Sequence, residues 1–445
     1  LNLKNDAINK LISGKFEIDC IDINLIQQVE KDPIIHNGSG TIYQDKNGVL
    51  NLKLYAEITN KNRMISHILK HFVPGKIIGN ENYFSLRATD MSGGKWDAEN
   101  LWLSHNVYDA GQVIKAKLRE IKNITEADIR IRSEKTYLFI VVPGSYKIPC
   151  NEKEDLPNGG WHLNKSLFSF NQIDFEFKKL DNYLTINAST ETNALPEQSE
   201  IRILEALSII CGQIVRPMII DLTHGGIRTL TIKSVDDTFP NNRLSYPLQH
   251  SSPSDLGTFA NFFEGYLSSI ESPNSELFGF WYKINRAWQS GIENASLALA
   301  VAIEGIVKSY FKKHGLPDKE ILQQAPKAKQ LIKHSELGEK IKQRLLSSIG
   351  GLKIASPQGA LYQMSDMGLF PKSFVVEWLS LRNKSVHPHQ IDRDEKIKQV
   401  NINKNYTCLV LFYCLLFKVI GYEGNFIDYS QEGWPEKSFS LVRKE

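Results

Sequence analysis

Asp236-Asp-Thr-Phe-Pro-Asn-Asn242 and, shortly after, Ser251-Ser-Pro-Ser-Asp-Leu-Gly257 bracket a stretch rich in Pro, Asn, Ser and Gly, with no apolar periodicity. Such a stretch reads as a linker. It decides the fold class because the apolar pattern changes across it, from strand-like alternation on its N-terminal side to a period of about 3.6 on its C-terminal side.

On the N-terminal side, strand signals run from about residue 15 to 190. Gly40–Tyr43 and Val49–Tyr55 flank Asp-Lys-Asn-Gly, whose Asn47 and Gly48 suit a hairpin turn. Further strands are predicted at Tyr83–Arg87, Val113–Leu118 and Tyr137–Val142, and another pair at Phe175–Phe177 and Tyr183–Ile186. One helix is predicted from Pro196 to Gly212, followed by strands Val215–Leu222 and Arg228–Lys233. No βαβ alternation is present, so an antiparallel sandwich or barrel-like domain is expected over residues 1–235.

After the 236–257 linker, residues 258–445 read as helices: Glu276–Gln289, Ile292–His314, Leu337–Ile349, Ser373–His387 and Asn403–Ile420. The expected class is therefore α+β, a β-rich N-terminal domain followed by an all-helical C-terminal bundle.

The 445 residues, 42% hydrophobic, suffice for two or three domains with buried cores. Leu1-Asn-Leu-Lys-Asn-Asp6 has no apolar export segment, and the longest apolar run, Tyr406–Ile420, is too short to span a bilayer and contains Lys418. A core helix is expected there, with no membrane partner. Five cysteines without CxxC spacing argue against disulfides and structural zinc, and fit a reducing cytoplasm. Residues 301–400 hold 17 Lys+Arg against 10 Asp+Glu, so the net charge of +3 conceals a basic region. A polyanion is one partner for such a region, and a solvated helix face is its plainer explanation.

Within that region lies Leu381-Arg-Asn-Lys-Ser-Val-His-Pro-His389. An arginine fork can grip a phosphate at any working pH, and an imidazole with a pKa of about 6.5 can exchange a proton near neutrality. Asn383 could orient either. About one Arg-to-His spacing of this kind is expected by chance, and Arg243 with His250 is a decoy, because Pro247 breaks any helix between them.

The helical period places Glu304 in a stripe with Leu297, Ala300, Val301, Val307 and Phe311, and aligns Arg382 with Val375, Trp378 and Leu379. A carboxylate on an apolar face needs a partner, so an Arg382–Glu304 pair is expected. Pro388 ends the helix at His387, leaving His387 as the favoured acid or base and His389 as its substitute.

A long helix with a lone acidic residue, a later helix ending in Arg382-Asn383-x-x-x-His387 and an apolar last helix together resemble the HEPN superfamily over roughly residues 260–430. Joined to a β-rich half, the layout is also similar to abortive-infection, anti-phage proteins of the ApeA type. The resemblance implies a metal-independent, cytoplasmic endoribonuclease of toxin type that works as a homodimer without a cofactor. Its RNA 2′-OH would attack the neighbouring phosphorus, with Arg382, Asn383, Glu304 and His387 or His389 forming the site. Transfer RNA is the substrate class it suggests, and an unidentified phage or host trigger would act through the β-rich half.

The alternative is a non-catalytic module in which the same residues serve packing and the β-rich half binds RNA or protein. His387, His389, Asp392 and Asp394 form a set of candidate metal ligands that a solvated loop explains more simply. Gly225-Gly226 reads as a hairpin turn, Trp161-His162 as a turn with a packed aromatic, and Cys211 as a core thiol.

Overall fold

The computed structural model describes residues 5–58, 75–126, 135–155, 159–191, 195–235, 243–269, 276–315, 319–351, 356–386 and 395–441. The chain forms two compact units, Leu1–Glu200 with Val215–Pro240 and Ile201–Ile214 with Asn241–Glu445. The class is α+β, with the strands concentrated in the first unit and the helices in the second.

The first unit begins with α1 (Asn5–Ile12), which has no counterpart among the predicted elements. Among the described residues, fifteen strands then make one sheet in which every pairing is antiparallel. The order runs from Glu152–Asp155 at one edge to Leu103–Tyr108 at the other. Alternation sets which side faces inward: Leu50, Leu52 and Leu54 are buried, while Asn51, Lys53 and Tyr55 lie on the other face. Together with Ile23, Leu25 and Ile114 they form part of one core.

Gly38 and Gly40 let the strand Ile35–Gln44 approach its neighbour closely. A Cβ on either would lie 1.9 Å from the Tyr55 carbonyl oxygen or 2.0 Å from that of Lys53.

The predicted hairpins form. Gln44 pairs with Leu50, and the Asp45 carboxylate accepts the amides of Asn47 and Val49 between them. Gly225 and Gly226, at φ +58° and +77°, join the paired residues His224 and Ile227 in a two-residue loop. Trp161 is not packed as expected. It is 56% exposed on the strand Trp161–Phe170, its ring covered by the Lys153 ammonium at 4.0 Å.

The second unit contains all but the first two residues of α2 (Ser199–Cys211), and α3 (Leu256–Ser269), α4 (Glu276–Trp288), α5 (Ile292–Tyr310), α6 (Lys319–Lys333), α7 (Glu339–Gly351), α8 (Pro357–Asp366), α9 (Lys372–Val386) and α10 (Glu395–Ile420). α3, α6 and α8 were not predicted. In α6 an internal Pro326 masks the helical pattern. α3 carries its signal in aromatic residues, with Phe259, Phe262, Phe263 and Tyr266 at i, i+3, i+4 and i+7, all buried.

The apolar run in α10 is a central helix, buried on all sides from Cys408 to Phe417. A strand pair, Gly424–Ile427 with Glu436–Phe439, follows it, so the second unit is not all-helical.

The segment from Arg243 to Asp255 is docked onto this unit. Tyr413 donates to the Ser245 carbonyl, Tyr429 to that of Tyr246, and the Ile427 amide to that of Pro247. His250 is buried against Tyr246 and donates from Nδ1 to the Leu248 carbonyl, so it is a core residue. All five cysteines are free and buried, and burial pushes the Cys211 thiol up to about 12. Among the described residues, no helix is long and apolar enough to cross a membrane.

Candidate functional site

α9 is held between α5 and α10 by its apolar face. Val375 and Trp378 are fully buried and Leu381 nearly so, and the Trp378 indole donates to the Ala300 carbonyl of α5 at 3.3 Å. On the α10 side, Lys404 donates to the Ser380 hydroxyl and pairs with Glu377. Asn405 of α10 accepts from Ser296 and donates to the Ile292 carbonyl, which ties α10 to α5. The three helices form a frame that fixes the end of α9.

One turn beyond Trp378, Arg382 projects from the edge of the buried face. Its Nε lies 2.9 Å from Glu304 Oε2, so the expected pair is present. The guanidinium also sits 5.7 Å from the Trp378 ring centre. This pair is not sealed, because the Arg382 side chain is 45% exposed and that of Glu304 22%. Lys308, one turn after Glu304 on α5, donates to the other carboxylate oxygen at 2.6 Å. The i+4 spacing of Lys308 from Glu304 is the sequence signal for this contact. Partial burial alone would raise the Glu304 carboxyl. The Lys308 hydrogen bond and the charges of Arg382 and Lys308 outweigh that and hold it below the usual carboxylate range.

The stripe predicted on α5 holds in part. Ala300, Val307 and Phe311 are buried, but Leu297 and Val301 are 46% and 55% exposed, and Ala295, Leu299, Ala302, Ile303 and Ile306 fill the rest of the core face. Glu304 therefore stands at the border of the apolar face, not within it. The error arose because Leu297 and Val301 are apolar residues facing outward, which mimics a buried stripe. On α9, Asn383 is exposed and lies on the side of the helix that carries Val376, itself 53% exposed. The outer face of the α5–α9 layer thus combines aliphatic side chains with Arg382, Glu304 and Lys308.

The structure brings Arg382 and Glu304 together and leaves Asn383 accessible. His387 and His389, with Asp392 and Asp394, lie outside the described residues. Among the described residues, no group of three or more His, Cys, Asp or Glu is placed to hold a metal ion. The arrangement is chemically a half-exposed guanidinium, anchored from behind by a carboxylate whose charge a lysine shares, and such a group can bind an anion from the solvent side. Compared with known proteins, the chain matches no family model, no curated protein and no solved structure.

Proposed function

We propose that the second unit is a metal-independent endoribonuclease of the HEPN type, acting in an anti-phage or abortive-infection response. The observation that carries this reading is the Arg382 guanidinium, anchored by Glu304 through Nε while nearly half of the side chain remains open to solvent. That posture suits a scissile phosphate. His387, or His389 in its place, takes the proton of the ribose 2′-OH, the oxygen attacks phosphorus, and the bond to the 5′-oxygen breaks. The 5′-oxygen leaves with a proton returned by the imidazolium, directly or through water, and the other product ends in a 2′,3′-cyclic phosphate. Arg382 stabilises charge gathering on the non-bridging oxygens.

Leu297, Val301 and Val376 are exposed on the outer α5–α9 face, which supports a second copy docking there and bringing two Arg382 side chains to one cleft. Transfer RNA is the proposed substrate class, and the β-rich unit the proposed sensor. The test is incubation of the purified chain with total RNA and with transfer RNA in EDTA. Cleavage to cyclic-phosphate ends, abolished by Arg382→Ala, is expected. Intact RNA with a folded protein, or undiminished cleavage by the variant, would favour the non-catalytic reading, in which the Arg382–Glu304 pair only joins α9 to α5.

A further inference from the structure

Two histidines of the β-rich unit meet at one end of its sheet. His36 is the second residue of the strand Ile35–Gln44, and His105 belongs to Leu103–Tyr108. Between them in the sheet lie Leu50–Ala56 and Gly111–Leu118. Three strand spacings would hold the residues about 14 Å apart on a flat sheet. Their ring centres are 5.2 Å apart with planes inclined at 60°, so the sheet curls and both side chains point into the curl. The close approach that Gly38 and Gly40 allow lies on the same strand as His36. Gln27, His36, Phe84 and Gln112, each at or next to a strand end, are buried at this end of the sheet.

The polar groups of the pair are unequal. His36 is 5% exposed, and neither ring nitrogen has a hydrogen-bond partner. Burial and then the neighbouring His105 push its pKa down to about 4, so near neutrality it is an uncharged imidazole with a lone pair buried and unused. His105 is oriented by a chain of contacts. The Gln112 amide nitrogen donates to the Glu57 carbonyl at 3.0 Å, which turns Gln112 Oε1 toward His105 Nδ1 at 3.3 Å. An amide oxygen only accepts, so Nδ1 carries the proton and the lone pair of His105 is on Nε2. A histidine that gives its other N–H to a fixed acceptor is the usual support for a metal ligand.

We propose that His36 and His105 hold a transition-metal ion, zinc, nickel or copper, at this end of the curled sheet. Imidazole nitrogen suits these metals. With metal–nitrogen bonds of about 2.0–2.1 Å, two imidazoles on a tetrahedral ion have ring centres roughly 5 Å apart, which matches the observed separation. No third side chain of the usual ligand types joins them among the described residues. The pair alone fixes two positions of the ion, and water is a suitable donor for others. The inference is independent of the nuclease reading, whose chemistry lies in the other unit and proceeds in EDTA.

The test uses the full chain, free of any affinity tag and stripped of metal, titrated with zinc by calorimetry and with copper(II) under paramagnetic resonance. One ion per chain is expected, with a nitrogen hyperfine pattern in the copper spectrum. His105→Gln should weaken binding at least tenfold, as should His36→Leu, and Gln112→Leu by about tenfold through loss of orientation. If His36→Leu fails to fold, the partly exposed His105 still decides the matter, with circular dichroism confirming its fold. Less than one ion per chain, or an affinity that His105→Gln leaves unchanged, overturns the proposal.

Discussion

Each unit contains an arginine–carboxylate pair, and the two differ in how much water reaches them. In the β-rich unit, Arg228 grips Asp221 with two parallel bonds, Nε to Oδ1 at 2.8 Å and Nη2 to Oδ2 at 2.6 Å, and the side chains are 15% and 11% exposed. In the helical unit, Arg382 meets Glu304 through Nε and is 45% exposed, and the carboxylate is shared with Lys308. A bidentate, shielded pair has used the fork for which arginine is suited and has little left to offer a ligand. A pair held from one side keeps a charged surface available. The same two residue types thus serve a strut in one place and a poised anion site in the other.

The sharpest way to break this contrast is to remove each arginine in turn. On the nuclease reading, Arg382→Ala lowers RNA cleavage by about 10²–10³, because charge stabilisation at phosphorus is lost. His387→Ala lowers it by about 10²–10⁴. Both proteins should melt within a few degrees of the parent, as measured by scanning calorimetry alongside the appearance of cyclic-phosphate ends. Arg228→Ala should do the reverse. Leaving Asp221 shielded and unpaired costs about 2–3 kcal/mol, below the roughly 3–5 kcal/mol of fully buried pairs because both groups retain some water. Denaturant titration reads that loss, and cleavage per folded molecule should hold steady. Equal losses of stability from the two alanine variants would erase the distinction.

The β-rich unit also hides a group whose charge depends on pH. His36 has a native pKa of about 4 against 6.5 when free, so between these values the unfolded chain binds the extra proton. Its contribution to stability is complete above pH 6.5 and is lost as the pH falls toward 4. His36→Phe, which keeps a flat ring and removes the titration, should flatten the acid side of the melting-temperature profile in metal-free buffer. A variant that tracks the parent through that window would show that the group is solvated in the folded chain.

How much of this was legible in the sequence differs between elements for physical reasons. The run through Cys408–Phe417 announced a central helix because no polar face interrupts it, and Asp-Lys-Asn-Gly announced its hairpin through turn chemistry. The Arg382–Glu304 pair followed from helical phase even though Leu297 and Val301 of the same stripe face outward, since Glu304 borders the true apolar face marked by Ala300, Val307 and Phe311. Lys95–Leu101 escaped because Asp97, Glu99 and Asn100 are poor strand formers and Asn100, at φ +60°, interrupts the alternation, and Leu103–Tyr108 because it buries no regular apolar set. The meeting of His36 and His105 could not be read at all. It depends on the curl of four strands, and a pattern within any one strand is blind to curvature.

The smallest expected effect tests the anchor itself. Glu304→Gln keeps shape and hydrogen-bonding capacity but removes the charge between Arg382 and Lys308. Because the pair is open to solvent, the loss of stability should stay below about 1 kcal/mol. The carboxyl titrates below its ordinary range, so what it does contribute is present above that range and fades as the pH falls through the lowered native value. Activity should respond more than stability, by about tenfold to a hundredfold, because an arginine freed from its anchor no longer sits where the phosphate needs it. A restored rate in Glu304→Asp, whose shorter carboxylate can still reach across the groove, would place the effect in orientation. Equal activity in the parent and Glu304→Gln would mean that Arg382 finds its working position unaided, and the contrast with the Arg228–Asp221 strut would then lie in solvent exposure alone.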